Sequence, residues 1–435
     1  MVRLLMALVA AALAVAGRAK ADDFIATGYD LTLTPDFAKH SVVGDEQVRI
    51  RSQQDGLAAV TFTANALIIG AATVADEPAS AVLQPDGWRI TLPHPLAKGA
   101  EVTLTIYYQG VPARGLVFGP HSVHTSYFTC DWMFCNEDRP GEKAPITLAL
   151  VVPEGMTGVA TGVLARSRPA GPGLTGQIWR EPRPYSAYLY GFAIGDYQSV
   201  SQRVGAVTLT YFGEATPPAR LSALFAASPG MLRFLEDKAG APPPRSRYAQ
   251  LLVPEDDAQE AAGFGVIGEP DLAPALTDPT DDWEIVHEMA HQWWGNLVTC
   301  RTWSELWLNE GITSFLVAAW KQHRWGEAAY QQELDRDRAR AAAAAKAGFD
   351  EPLAWAGQYP SLSVRRDIQY FKGALFMDAL RRELGEAVFW RGLRNYTRAH
   401  LGGVVTSRDF QRAMQQASGR DLSGLFNQWV YPAPA

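Results

Sequence analysis

The stretch His287-Glu288-Met289-Ala290-His291 limits what this chain can be more than any other part of it. On an α-helix residues four apart share a face, because a turn takes about 3.6 residues, so both imidazoles can reach one ion. Glu288 projects beside that ion and can take a proton from a water held there. A catalytic zinc keeps three protein ligands and leaves a fourth position open. Glu310, in the run Trp307-Leu308-Asn309-Glu310-Gly311 that opens a second expected helix, is the candidate for the third. The bare pattern also arises on ordinary helices, so its surroundings have to decide.

Those surroundings carry a resemblance. The segment from His287 to Thr313, HEMAHQWWGNLVTCRTWSELWLNEGIT, resembles the active site of the aminopeptidase N family of zinc peptidases, the gluzincins. That family places eighteen residues between HExxH and a glutamate inside a WLNEG string, and Gln292 to Asn309 is eighteen residues. Gly295 to Thr299 is most similar to the leukotriene-hydrolase branch. The resemblance implies one Zn2+ per chain on His287, His291 and Glu310, with Glu288 as general base. It also implies that Tyr370 hydrogen-bonds the developing oxyanion. Tyr370 heads Tyr370-Phe371-Lys372-Gly373-Ala374, 83 residues after the first ligand, similar to the family's Tyr-x-Lys-Gly-Ala start. Taken alone, such a tyrosine would be half-buried packing.

The substrate end departs from the family. Its Gly-x-Met-Glu-Asn loop, whose glutamate holds the free α-amine, corresponds here to Ala262-Gly263-Phe264-Gly265-Val266-Ile267-Gly268-Glu269. Aligned on glycines, the glutamate falls near Gly265, with Glu260 and Glu269 on either side. The second amine anchor, fourteen residues before Pro140, falls at Ser126. Gly263, Phe264, Gly265, Glu260 and Glu269 are therefore the substrate-binding candidates, and the glycine-rich run can also pair with an extended substrate backbone. Many relatives carry an acid seven residues after the glutamate ligand, where Val317 stands here. Glu284 and Glu305 are available to support the ligand histidines, and sequence assigns neither.

The rest of the chain fits an α+β protein. Short alternating runs such as Val102 to Tyr108 and Ile146 to Val152, cut by Gly, Pro and Asp turns, make residues 22–201 an N-terminal β-sandwich or saddle-shaped domain. Residues 202–435 are expected as a thermolysin-like catalytic domain, mixed α/β and then helical. One strand is expected at Gln202 to Tyr211, a helix at Ala219 to Ala239 broken or kinked by Pro229, and a loop from Glu255 to Thr280. The metal helices are expected at Trp283 to Trp294, capped by Asp281 or Asp282, and from Asn309 to Trp325. Family members continue into a helical domain that roofs the site, whereas this chain ends at Trp429-Val430-Tyr431-Pro432, where such catalytic domains end.

Residues 1–21 read as a signal peptide: Arg3, an apolar core from Leu4 to Ala16, and the small-x-small site Ala19-Lys20-Ala21. An uncleaved anchor is the lesser reading, and after cleavage no integral membrane span is expected. The expected location is exported, periplasmic or extracellular. Removing three basic residues changes the charge to 36 − 46 = −10, which argues against nucleic acid as a partner and says nothing specific about a peptide; a peptide or protein substrate is what the resemblance implies. Cys130 and Cys135 can pair if the chain turns between them, and two buried thiols are the other reading. The function expected is zinc-dependent peptide hydrolysis, aminopeptidase-like with altered substrate selection. An endopeptidase, a zinc-containing binding protein of the same fold, and a hydrolase of a non-peptide ester, epoxide or amide are the alternatives.

Overall fold

The computed structural model describes residues 23–432, so the expected signal segment lies outside the described residues. The first half is built on an eight-stranded sheet. Its spatial order runs Val163–Gly171, Leu174–Ser186, Lys143–Pro153, Phe24–Asp36, Ser41–Ser52, Glu101–Gly110, Ile68–Val74, Glu77–Pro78. Neighbours are antiparallel except Phe24–Asp36 with Lys143–Pro153, which pair in parallel with Tyr29 opposite Ile146. Strand Ser41–Ser52 alternates between buried and open positions along its length, as a strand with one covered face must. A three-stranded and a four-stranded sheet complete this region. Between strands the chain turns through Thr129–Asp131, a short 3₁₀ segment that brings Cys130 and Cys135 to a Cα separation of 5.1 Å, and the two form a disulfide.

The second region opens with a five-stranded mixed sheet ordered Gln198–Val204, Val207–Gly213, Arg247–Val253, Phe264–Gly268, Ala258–Gln259. The single strand expected at 202–211 is thus a hairpin, turned at Gly205-Ala206, and its first strand spans the expected boundary at 201. The stretch expected as a loop from 255 to 280 contains a strand, Phe264–Gly268, buried along its whole length between two neighbours. Its small residues gave little apolar signal, and the surrounding sheet supplies the order. Pro229 does break the expected helix, leaving Pro218–Leu224 and Ser228–Ala239.

Behind the sheet stand the metal helices. Trp307–Trp325 is buried continuously from Trp307 to Lys321. A helix covered on every side is a core element rather than a surface one. The regular part of the other helix is shorter than expected: it ends at Ala290, and His291 keeps α dihedrals at its C-terminal end. Asp282 precedes it without giving a side-chain cap; its carboxylate accepts instead from Trp320 Nε1 at 2.8 Å. The remaining chain is helical to Trp429, with one π-helical turn at Asp367–Lys372. Among the described residues no helix is long and apolar enough to cross a membrane.

Lys143 joins the two regions. Its buried Nζ donates to the carbonyls of Asn296, Leu297 and Gly403 at 3.2, 2.9 and 3.0 Å. Burial pushes this amine down to about 7, but three carbonyls are satisfied only by the three N–H donors of the ammonium. The hydrogen-bond set decides, and the lysine is charged where the β region meets the loop after the first metal helix.

Candidate metal and peptide site

Two helices and one glycine crossing assemble the site. His287 and His291 project from one helix end, and Glu310 from the first turn of Trp307–Trp325, where the helix dipole favours a carboxylate. One Glu310 oxygen lies 3.3 Å from His287 Nε2 and 3.2 Å from His291 Nε2. The two Nε2 atoms are 3.0 Å apart, and all three ligand atoms lie within 4.8 Å of one another. His291 Nδ1 sits 3.0 Å from the Trp294 carbonyl, to which only its N–H can bond, so its Nε2 lone pair is free for a metal.

His287 Nδ1 is buried and has no hydrogen-bond partner among the described residues. Val317, where the resemblance would put an acid, is buried and cannot serve. Neither reserve glutamate takes over: Glu305 accepts from Ser407 N at 2.8 Å, and burial pushes the carboxyl of Glu284 up to about 7.

Charge makes the same demand for a cation. Burial, then repulsion from His291, pushes His287 down to about 4, so its ring is neutral. Burial also opposes charge on His291, yet Glu310, Glu260 and Glu288 outweigh it and hold the ring up at about 10. Three carboxylates thus draw a positive charge onto the histidine pair, and a divalent ion on these ligands would meet that demand. The donor set of two imidazoles and one carboxylate fits catalytic zinc.

Gly311 and Gly373 bring Tyr370 in. A Cβ on Gly311 would sit 2.8 Å from the Gly373 Cα, so only two glycines let the Glu310 helix and the chain after Tyr370 cross at backbone contact. Tyr370 lies in the π-helical turn, and its ring is 5.7 Å from the His287 ring at 16°. π-turns recur at functional sites. Trp283 also stacks on His287, at 4.2 Å and 20°. Glu288 is buried, one oxygen without a partner among the described residues, and burial raises its carboxyl well above the ordinary range.

The substrate-side candidates separate. Glu260 is 7% exposed, and its carboxylate acts electrostatically on His291, Glu310 and Glu288. It has no side-chain hydrogen bond among the described residues. Glu269 turns elsewhere, to Arg220 at 3.0 Å and Thr216 at 3.4 Å. Phe264 is buried in a small core with Val159, Ala193 and Leu251. Gly263 N is taken by Gln292 Oε1 at 3.0 Å. Gly265 lies against the metal helix: a Cβ there would meet the Glu288 Cβ at 3.0 Å, so a side chain at that position would require Glu288 to shift by a few tenths of an ångström.

The segment carrying Glu260 is tied down at both ends. Asp257 accepts from Ser126 Oγ at 2.9 Å and lies 3.4 Å from His124 Nε2. Thr125 Oγ1 reaches Gln259, and Asn296 and Gln292 reach the carbonyls of Glu260 and Ala261. Sequence reading missed Asp257, Arg366 and Tyr127. Tyr127 and Phe128 both have left-handed backbone, at φ 39° and 38°, and no residue type there signals it.

A buried His-His-Glu site on two helices behind a mixed sheet defines a gluzincin-type metal-site protein. Residues 266–429 match the Peptidase family M1 domain, and the chain is similar to aminopeptidase N-like members of that family. Aminopeptidase N of Streptomyces lividans is 27% identical over 325 residues, 69% of this chain and 36% of that protein. Aminopeptidase 2, mitochondrial, of Saccharomyces cerevisiae is 23% identical over 94% of this chain and 46% of its own length. The chain therefore spans less than half of these relatives. A two-domain M1 zinc metallopeptidase bound to L-tryptophan shares the fold, with a TM-score of 0.79, 22% identity and 95% coverage of both chains. The M1 zinc metallopeptidase of Deinococcus radiodurans bound to a Tyr-Ser-Ala substrate matches at the same TM-score and identity.

Proposed function

We propose that this chain is a zinc aminopeptidase in which Glu260 holds the substrate's free amino group. The observation that carries the reading is a buried carboxylate that, among the described residues, makes no hydrogen bond to another side chain, beside the His287, His291 and Glu310 set. Burying an unpaired carboxylate costs several kcal/mol, roughly, and a substrate ammonium would offset that cost. Zinc on His287, His291 and Glu310 would polarise the scissile carbonyl and bring a water's pKa towards neutrality. Glu288 takes the water's proton on its carboxylate and returns it to the leaving amine nitrogen. The Tyr370 phenol donates to the oxygen that becomes anionic. Burial, with Glu310 and Tyr127 adding to it, raises this phenol well above its ordinary value, so it remains a donor. The disulfide between Cys130 and Cys135 supports an exported location.

The test compares one peptide with a free and an acetylated amino terminus, on protein whose zinc content has been measured. The expected result is about one zinc per chain and cleavage of the free form only. Equal cleavage of the blocked peptide would make the protein an endopeptidase. Stoichiometric zinc with no cleavage across a broad peptide library would leave a binding protein of the same fold.

A further inference from the structure

One charge in the cleft is used by none of these steps. Helix Leu362–Arg366 is capped by Ser361, whose Oγ accepts from Val364 N at 3.2 Å, and it runs directly into the π-helical turn that carries Tyr370. Its last two residues are arginines with different fates. Arg365 is committed, donating to Gln369 Oε1 at 2.8 Å and to the Trp303 carbonyl at 3.0 Å. Arg366 is exposed and has no hydrogen bond or ion pair among the described residues. Its guanidinium carbon lies 5.7 Å from the centre of the Tyr370 ring, which itself lies over His287. The charge is one aromatic ring away from the first metal ligand.

Packing alone does not account for it. An exposed cation–π contact is weak, and holding a long arginine side chain in it costs more rotamer entropy than the contact returns. A guanidinium with free donors is, however, well matched to a carboxylate, which it grips through two parallel hydrogen bonds. With the amino end at Glu260, the α-carboxylate of a dipeptide and the side chain of its second residue both lie beyond the scissile bond, on the leaving-group side, and Arg366 on the Tyr370 ring is a cation left over for either.

We propose that Arg366 binds a carboxylate on the leaving-group side of the substrate. Two sources share that chemistry: the α-carboxylate of a dipeptide, and the side chain of an acidic second residue. This assignment rests on the aminopeptidase reading for which end of the peptide lies where.

The experiment measures binding by calorimetry to the zinc-loaded full chain carrying Glu288→Gln. The probes are Ala-Ala and Ala-Ala amide as one pair, Ala-Glu amide and Ala-Gln amide as the other. In at least one pair the charged member is expected to bind about tenfold tighter or more. Adding Arg366→Gln should bring that ratio to about one, and Arg366→Lys should recover part of it. A preference in the first pair assigns the α-carboxylate, and one in the second assigns the acidic side chain. The proposal is overturned by no preference in either pair, by a preference that survives Arg366→Gln, or by equal weakening of all four peptides. Binding and turnover are separate readouts. A charge ratio without cleavage by the parent chain keeps Arg366 and sinks the peptidase reading, and cleavage without the ratio does the reverse.

Discussion

The metal-ligand half and the proposed amine half of this site are built by different means. His287, Glu288, His291 and Glu310 stand on two helices, one of them buried over fifteen consecutive residues from Trp307 to Lys321. Glu260 stands on a short segment at the edge of a mixed sheet, held by side chains from two other parts of the chain, residues 124–126 and 292–296. The first half is placed by helix periodicity and core packing, the second by hydrogen bonds whose partners are more than thirty residues away. A site divided this way can alter substrate selection without disturbing its metal.

The strongest attack on the comparison is on the metal half. Chelation should abolish activity, and Glu288→Ala should lower kcat by about 10³-fold with zinc content and melting temperature kept. Loss of zinc in Glu288→Ala would mean that the carboxylate holds the site together rather than moving a proton.

Next come Tyr370 and the glycine crossing. Tyr370→Phe removes one donor to the oxyanion and should cost about 10²-fold in kcat with KM little changed. Gly373→Ala places a methyl against Gly311, whose Cα is 2.7 Å from the position of the new carbon. Helix propensity alone would favour the alanine by roughly 1 kcal/mol. The close crossing should reverse that sign, lowering both melting temperature and kcat. A more stable Gly373→Ala with full activity would show that Tyr370 does not depend on this contact.

The amine half should respond in a different parameter. Glu260→Gln keeps the shape and removes the charge. A loss of about 2 kcal/mol, or roughly thirtyfold in kcat/KM, is expected on free peptides, mostly through KM. Zinc content is expected to hold. Activity on acetylated peptides, if any is detectable, should not fall. A uniform loss on free and blocked peptides would move Glu260 from the substrate to the metal surroundings.

What could be read from sequence follows the same division. The ligands were legible because i, i+4 spacing on a helix is a local property, and the eighteen-residue interval brought Glu310 to them. The missing acid at Val317 was legible too, and among the described residues His287 Nδ1 lacks a partner. The strand Phe264–Gly268 looks like loop in the sequence because two of its five residues are glycine, and sheet neighbours rather than side chains set its conformation. Glu260 and Glu269 looked equivalent in sequence. Only the fold shows that Arg220 and Thr216 engage one while the other stays free. Gly311 and Gly373 carried a signal that was available, since glycine inside a helix costs stability unless something must approach closely.

The smallest expected effect probes how the amine half is held. Asp257 touches no ligand of the metal, and its carboxylate joins Ser126 and His124 to the segment that ends in Glu260. Asp257→Asn keeps the volume and can still accept from Ser126 through its one oxygen, but gives up the second acceptor that faces His124. If Glu260 is positioned through this link, KM for free-amino peptides should rise severalfold while kcat and zinc content stay close to the parent. Combined with Glu260→Gln, the two losses should fall short of additive, because the second substitution removes the group that the first one only displaces. Full additivity would mean that Asp257 contacts substrate in its own right, and the amine half would then hold two carboxylates rather than one.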